Sequence, residues 1–191
     1  MRTLILVRHS ESKVQANLPP QEWRLTSRGR RLCLPLASKV ATHSPNLILT
    51  SKEVKAQTTG KILAELLALN CQTAPGLHEH LREKGEILDL DAWFIRISDF
   101  FQNPNRLVFG LETANQAKER FITAIHAVME QHQGGNVTVV THGTVMSLYY
   151  QELTGKDPYE FWRQLGLPGF YTVSWPEGEV LSVEMDIVEK I

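Results

Sequence analysis

Two histidines of this sequence each stand at the end of an apolar segment, where reactive side chains can be held in a fixed place. His9 comes after Leu4–Val7 and Arg8, and His142 comes after the β-branched segment Val137–Thr141. Such segments are typical of buried parallel strands, whose carboxyl ends line the ligand-binding edge of a sheet. A single buried histidine more often has a structural role than a catalytic one. Two in equivalent positions, one beside an arginine, favour a functional site at that edge.

The residues around the two histidines favour an anion as the ligand. Lys55 lies about one turn into a predicted helix that follows a third apolar segment, Leu47–Thr50. Ser51 and Gly143 stand where helices are expected to begin, and a helix N-terminus offers backbone N–H groups and a positive dipole end. No adjacent acid is expected to neutralise these cations. The pattern therefore predicts a phosphate site.

Several other site chemistries lack the spacing that they need. His78 and His80 are separated by one residue and His126 and His132 by five, so neither pair has the spacing of zinc ligands, and we expect no metal. There is no G-x-x-x-x-G-K-[ST] loop and no G-x-G-x-x-G segment, which disfavours the nucleotide-binding folds. The G-x-S-x-G motif of α/β hydrolases is also absent.

The composition limits the class of protein and its partners. There are 20 Lys and Arg against 21 Asp and Glu, a net charge of −1, and we expect no nucleic acid partner. No segment approaches the ~18 apolar residues of a membrane span, so no membrane partner is expected. The two cysteines form no C-x-x-C pair and no signal peptide is evident, which favours a reducing, cytoplasmic location. Residues 1–191 are most simply one domain.

The elements that must position these residues alternate between strand and helix. They predict an α/β fold, a three-layer αβα sandwich with a mostly parallel sheet, helices on both faces and a C-terminal edge hairpin. Alternating polarity in Phe170–Trp175 and Val180–Met185 predicts the hairpin. Thr26 is the expected N-cap of the first long helix, which Pro35 should kink or split. The aromatic residues of a later helix, Asp89–Phe101, are interpreted as core or, alternatively, as the wall of a substrate pocket.

Several segments, in the same order, resemble the motifs of the histidine phosphatase superfamily, which includes the cofactor-dependent phosphoglycerate mutases. LVRHSES resembles the R-H-G signature, Leu25-Thr26-x-x-Gly29 resembles L-T-x-x-G, and TSKEVKAQTTGKIL resembles S-x-x-x-R-A-x-Q-T-A. LHEHLRE resembles the L-x-E segment that bears the acid, GLET resembles G-x-E-[ST], and VVTHGTVMSLYY resembles the V-x-H-G element. The resemblance covers residues 3–150.

This resemblance implies a phosphoglycerate mutase-like fold and a metal-independent phosphatase that uses no cofactor and forms a phosphohistidine. It implies that His9 is the nucleophile, that Arg8 and His142 bind the phosphoryl oxygens, and that Glu79 protonates the leaving group and then activates water. Phosphoryl transfer depends mainly on positioning and charge stabilisation, which such a ring of donors supplies.

The sequence departs from the family motifs at two places in the phosphate site. Lys55 stands where the motif has arginine, which keeps the charge but loses the bidentate fork, so we expect it to bind phosphate with altered geometry. Ser10 stands where the motif has glycine, and its hydroxyl is a further candidate to contact phosphate. Gly143, whose backbone N–H begins a helix, completes the expected phosphate-binding set.

Some alternatives stay open at this level. Glu83 also fits the L-x-E motif, counted from Leu81, although Glu79 directly follows a strand and turn. Arg82 is interpreted as solvated surface or, alternatively, as a contact for a remote charge of the substrate. Glu112 is interpreted as the start of a helix or, alternatively, as a residue that orients a cation at the site. A phosphorylated small molecule is the expected substrate, with a phosphoprotein as the second choice. Phosphoglycerate mutase-type transfer and a catalytically weak phospho-ligand binding protein are the alternative functions, and the sequence does not indicate the oligomeric state.

Overall fold

A six-stranded mixed sheet forms the centre of the computed structural model, which describes residues 2–15, 17–82 and 89–188. The strands are β1 (Arg2–Arg8), β2 (Pro45–Thr50), β3 (Cys71–Thr73), β4 (Asn136–Thr141), β5 (Phe170–Trp175) and β6 (Val180–Glu184). Their order across the sheet is β3-β2-β4-β1-β5-β6. The first four strands are mutually parallel, whereas β5 and β6 form the predicted antiparallel hairpin at one edge.

Helices cover both faces of this sheet, as the sequence predicts. Leu4 and Leu6 of β1 face one side, where they pack against the four helices between residues 90 and 164. Ile5 and Val7 face the other side, against the two helices between residues 27 and 67. This alternation follows from the two-residue period of a strand. In the described residues the helices are α1 (Ser27–Ala41), α2 (Val54–Leu67), α3 (Leu90–Gln102), α4 (Ala114–Gln131), α5 (Gly143–Thr154) and α6 (Pro158–Gln164). No helix among them has both the length and the apolar character that crossing a bilayer requires.

Side-chain caps fix where the helices begin. Thr26 accepts a hydrogen bond from the backbone N–H of Gly29 and caps α1, as predicted. Thr113 and Gln116 form a reciprocal capping box at the start of α4. Such caps satisfy backbone donors that the first helical turn leaves without partners.

Pro35 does not split α1, and that part of the prediction is wrong. The helix is continuous from Ser27 to Ala41 with Pro35 inside it. Leu32, Leu36 and Val40, on both sides of the proline, are completely or almost completely buried. Their burial against the sheet outweighs the roughly 3 kcal/mol that an internal proline costs.

The carboxyl ends of β1, β2 and β4 meet at one edge of the sheet. Arg8 is in register with Thr141, and Thr50 is in register with Val140. The backbone N–H of His9 then donates to the carbonyl oxygen of Thr141 at 2.9 Å, which continues the pairing past the strand end. The three polar strand ends are therefore neighbours.

Candidate active site

His9 presents a neutral imidazole with one free ring nitrogen. Its Nδ1 lies 2.8 Å from the carbonyl oxygen of Ser10. Since a carbonyl oxygen accepts only, Nδ1 carries the proton and Nε2 keeps its lone pair. Burial is the largest cause that holds the pKa of His9 well below its usual value, and the nearby charge of Lys55 adds to it. The residue is 6% exposed and lines the cavity, so solvent and a ligand reach the ring from one side.

Arg8 is held beside this histidine with part of its guanidinium unpaired. Its Nη1 donates to the carbonyl oxygen of Leu165, and its Cζ lies 6.0 Å from the ring centre of Trp162. The buried Nε has no hydrogen-bond partner in the described part of the chain. Burial lowers the pKa of Arg8 to about 10, against the opposing effect of Glu79, so the group stays charged at neutral pH. A buried cation with a spare donor is suited to a phosphoryl oxygen.

His142 is fully buried behind His9. The two rings meet edge to face with centroids 5.2 Å apart. His142 Nε2 lies 2.7 Å from the hydroxyl oxygen of Ser51, whereas its buried Nδ1 has no partner among the described residues. Burial and then the charge of Lys55 hold the pKa of His142 well below its usual value, so the ring is neutral. The sequence prediction that the two histidines lie together agrees with this geometry.

Lys55 is paired with an acid, contrary to the expectation that no neighbour neutralises the cations. Its Nζ donates to Glu53 Oε2 at 2.7 Å and to the carbonyl oxygen of Pro20 at 2.7 Å. Both side chains of the ion pair are about 95% buried, with 5% and 4% exposed. The expectation fails because Glu53 precedes α2 in extended conformation, which turns its carboxylate back to Lys55. Lys55 nevertheless lines the cavity.

Glu79 reaches the same cavity from the loop after β3. Its Oε1 accepts from the backbone N–H of His80 at 2.9 Å and its Oε2 accepts from that of Thr144 at 3.2 Å. Burial acts to raise the pKa of Glu79, but the charge of Arg82 and the hydrogen bond from the His80 amide oppose it, and the pKa lies below its usual value. The free site therefore holds an ionised carboxylate near His9. Glu83, the alternative acid, lies outside the described residues.

A second ion pair supports the loop that carries Glu79. Arg120 donates to the carbonyl oxygens of Gly76 at 2.7 Å and His78 at 3.0 Å, and pairs with Glu112 at 2.6 Å. Glu112 in turn accepts from the backbone N–H of Leu81 at 2.9 Å. The interpretation of Glu112 as a helix start is thus wrong, because Thr113 caps α4 and Glu112 orients a cation of that helix.

The cavity in front of His9 has a volume of about 390 Å³ and mostly aromatic and aliphatic walls. Arg82 lines it and lies 4.8 Å from the ring centre of Trp93, so its assignment to solvated surface is wrong. The sequence predicts that the aromatic residues of α3 are core or the wall of a substrate pocket, and both occur. Trp93 lines the cavity, whereas Phe100 is fully buried in the core. The apolar lining residues include Trp23, Trp93, Trp162, Leu18, Leu90 and Leu167.

One predicted phosphate contact, that of Ser10, has other partners in this structure. The Ser10 hydroxyl donates to the carbonyl oxygen of Gly29 at 2.7 Å, and the Ser10 amide donates to the Thr59 hydroxyl at 3.0 Å. Ser10 is fully buried and does not line the cavity, so its hydroxyl is directed into the fold. Gly143 instead makes room for Arg8, since a Cβ there would lie 2.8 Å from Arg8 Nε.

Sequence reasoning missed Glu53 and misjudged Arg82. Both are charged residues in polar segments, and their burial depends on contacts with residues distant in the chain. Within residues 2–15, 17–82 and 89–188, no group of three or more His, Cys, Asp or Glu side chains is arranged to hold a metal ion.

Comparison with protein families gives a match over nearly the whole chain. Residues 4–186 match the model of the histidine phosphatase superfamily (branch 1). A comparison with curated protein sequences gave no match.

Solved structures with the same fold include several phosphatases. YhfR of Bacillus stearothermophilus is 22% identical, with 97% of this chain and 98% of that chain covered and a TM-score of 0.75. A mycobacterial glucosyl-3-phosphoglycerate phosphatase is 18% identical, with 97% of both chains covered and a TM-score of 0.71. A phosphoserine phosphatase of Entamoeba histolytica, in complex with 3-phosphoglyceric acid, is 19% identical, with 96% and 97% covered and a TM-score of 0.76. At these identities the likeness shows the fold.

Proposed function

We propose that this chain, which belongs to the histidine phosphatase superfamily, is a metal-independent phosphatase that hydrolyses a phosphomonoester through a phosphohistidine. The observation that carries the proposal is the state of His9. A neutral imidazole with its Nδ1 proton engaged by a carbonyl oxygen has a free Nε2 at the cavity wall, beside the charged Arg8. Such an atom is suited to attack phosphorus.

In the first step, His9 Nε2 forms a bond to phosphorus as the ester P–O bond breaks. Glu79, protonated in the substrate complex, gives its proton to the departing oxygen. Arg8 and Lys55, which line the cavity, stabilise the charge on the phosphoryl oxygens. His142, buried directly behind His9, adds its Nδ1–H, since the Ser51 hydroxyl can donate to its Nε2. Because these donors are already in place, little reorganisation is needed in the transition state.

In the second step, water attacks the phosphohistidine and the N–P bond breaks. Glu79 accepts the proton of that water, so the carboxyl group returns to its starting state and His9 is free again. Inorganic phosphate leaves. Dividing the hydrolysis into two displacements replaces one difficult step by two easier ones.

Glu79 must gain a proton before it can act, and the substrate favours that. In the free protein its pKa lies below the usual value. A phosphate group in the cavity adds negative charge near the carboxylate, and a nearby like charge raises a carboxyl pKa. Binding thus brings the acid towards its active, protonated form.

A small organic phosphate is the substrate that we propose, since the cavity of about 390 Å³ suits a small ligand and its walls suit an apolar or planar leaving group. The names of two structural neighbours specify glucosyl-3-phosphoglycerate and phosphoserine as substrates of those proteins. We also propose a cytoplasmic location, because Cys33 and Cys71 are both free thiols.

The test compares wild type with His9→Ala on p-nitrophenyl phosphate, phosphoserine and 3-phosphoglycerate, each with and without a chelator. We expect phosphate release that the chelator does not affect and that His9→Ala abolishes. Wild-type protein quenched during turnover should carry acid-labile phosphate on His9. His126→Ala, an exposed histidine of α4, is the matched control and should keep full activity.

The alternatives give different results in the same experiment. Conversion of 3-phosphoglycerate to its 2-isomer without release would show mutase-type transfer. Phosphate binding without turnover of any substrate would show a phospho-ligand binding protein. Activity that disappears with the chelator would contradict the metal-independent mechanism.

A further inference from the structure

A buried carboxylate, Glu53, lies within the candidate site and has no role in the mechanism above. It stands at the second x of the S-x-x-x-R-A motif, where the motif specifies no residue type. Its side chain is 4% exposed and joins three elements. Oε2 accepts from Lys55 Nζ at 2.7 Å, Oε1 accepts from the backbone N–H of Glu79 at 2.8 Å, and Oε1 lies 3.4 Å from His142 Nε2.

A buried charge of this kind is costly unless it is paired and hydrogen-bonded. Glu53 meets that condition with a cation on one oxygen and an amide on the other. Since Lys55 and Glu79 both line the cavity whereas Glu53 does not, the carboxylate acts on the ligand through these neighbours. It holds the cation and the acid at a fixed separation.

The charge of Glu53 also acts on whatever occupies the cavity. Lys55 attracts a phosphoryl group, and Glu53, at 2.7 Å from its Nζ, offsets that attraction. Arg8, with its unpaired Nε, then remains as the stronger cation next to His9. A phosphatase benefits from this balance, because phosphate is also its product and must leave.

We propose that Glu53 is a positioning residue, which fixes Lys55 and the backbone of Glu79 in one network and lowers the affinity of the cavity for phosphate. The inference rests on the proposed function in so far as the cavity is a phosphate site. Its test measures the binding of inorganic phosphate by calorimetry and needs no turnover.

Glu53→Gln keeps an oxygen for the Glu79 amide and removes the charge. We expect this variant to bind phosphate more tightly than wild type, by roughly tenfold, because Lys55 is no longer offset. Lys55→Met should bind phosphate more weakly than wild type, because it leaves the charge of Glu53 unpaired. The double variant, Glu53→Gln with Lys55→Met, should then bind phosphate more tightly than Lys55→Met alone.

The control is Glu152→Gln, which removes a surface ion pair with Lys118 at 2.9 Å and should leave phosphate affinity unchanged. A Glu53→Gln variant that folds but binds phosphate as weakly as wild type, or more weakly, overturns the proposal. If that variant does not fold, the comparison of the double variant with Lys55→Met decides, and equal or weaker binding by the double variant overturns it.

Turnover separates this inference from the proposed function. If wild type binds phosphate but hydrolyses no substrate, the proposed phosphatase fails, whereas the ranking of the Glu53 and Lys55 variants still tests the role of Glu53. If wild type is active, tighter phosphate binding by Glu53→Gln should appear as stronger inhibition by product.

Discussion

The guanidinium of Arg8 packs directly against Gly143, in space that any side chain at residue 143 would fill. A Cβ on Gly143 would lie 2.8 Å from Arg8 Nε and 2.9 Å from Arg8 Cζ. The contact joins the end of β1 to the first residue of α5, so the glycine that follows His142 is required by the position of a cation. The backbone of Gly143 needs no unusual conformation for this role.

Replacing Gly143 by alanine should therefore displace Arg8 and slow the reaction. We expect phosphatase activity to fall by about 10²-fold, the order of magnitude for loss of one preorganised donor. Phosphate affinity should fall as well. Gly134→Ala is the control, because nothing lies within 4 Å of a Cβ at that position. Unchanged steady-state kinetics of Gly143→Ala would show that Arg8 does not need this contact.

The strand ends could be predicted from the sequence because their signal is local. Leu4–Val7 and Val137–Thr141 are apolar until a polar residue ends each of them, and parallel pairing then puts these ends side by side. The capping box of Thr113 and Gln116 is equally local. These features depend on spacing along the chain, so they need no knowledge of tertiary contacts.

The electrostatic balance of the site could not be predicted in this way. Glu53 becomes buried through a hydrogen bond to Glu79, 26 residues further along, and Arg82 becomes a cavity residue by packing on Trp93 of α3. The Ser10 hydroxyl, in the loop after β1, finds its partner in Gly29 of α1. Sequence spacing indicates which charges are present, whereas tertiary contacts decide which of them are paired.

Activity should fall as the pH rises through neutrality. The first step needs protonated Glu79, whose pKa lies below its usual value, and neutral His9, whose pKa lies well below its usual value. Raising the pH removes the proton from Glu79 without making His9 more available. We therefore expect kcat/KM for phosphoserine to be higher at pH 5.5 than at pH 8, because loss of the proton from the general acid sets the alkaline side of the pH profile.

The leaving group provides the control for the role of Glu79. Glu79→Gln should slow hydrolysis of phosphoserine by roughly 10²–10⁴-fold, because an alkoxide needs a proton to depart. The same variant should lose much less kcat/KM on p-nitrophenyl phosphate, whose phenolate leaves unprotonated, because kcat/KM reports the first step and not the later activation of water. Equal losses of kcat/KM on the two substrates would contradict the assignment of Glu79 as the acid.

The stability of the fold should decrease below about pH 6.5 because buried histidines are held neutral. Burial is the main cause that lowers the pKa of His9, His80 and His142 below the usual histidine value of 6.5. Below that pH the unfolded chain binds protons that the native state does not, so the free energy of unfolding falls as the pH falls. For each such histidine, the free energy of unfolding falls by up to about 1.4 kcal/mol per pH unit as the pH falls from 6.5 to the pKa of that histidine in the folded protein.

Urea unfolding at pH 8, 7, 6 and 5 measures this slope. A flat dependence between pH 7 and 5 would mean that these histidines are accessible to protons in the native state. His142→Gln should reduce the slope, whereas the exposed His126→Gln should not. Because the two variants differ in burial and not in chemistry, the comparison isolates the buried ring.

Arg120 should affect the catalysis by Glu79 indirectly, because it holds the loop on which Glu79 lies. Its guanidinium binds the carbonyl oxygens of Gly76, His78 and Glu79 and pairs with Glu112, yet it does not line the cavity. Arg120→Met leaves these carbonyls and the carboxylate of Glu112 without their donor, which frees the loop to move. We expect kcat to fall by at least about tenfold, because displacement of a catalytic group by ~1 Å is costly.

The matched control for this variant is Lys118→Met, two residues before Arg120 on α4, which removes an ion pair with the exposed Glu152. It should leave kcat unchanged. Loss of activity in Arg120→Met should be larger for phosphoserine than for p-nitrophenyl phosphate, since the defect lies in placing the acid. Phosphate binding should change little, because Arg8, His142 and Lys55 stay in place. A parallel loss of phosphate affinity would mean that Arg120 supports the whole site.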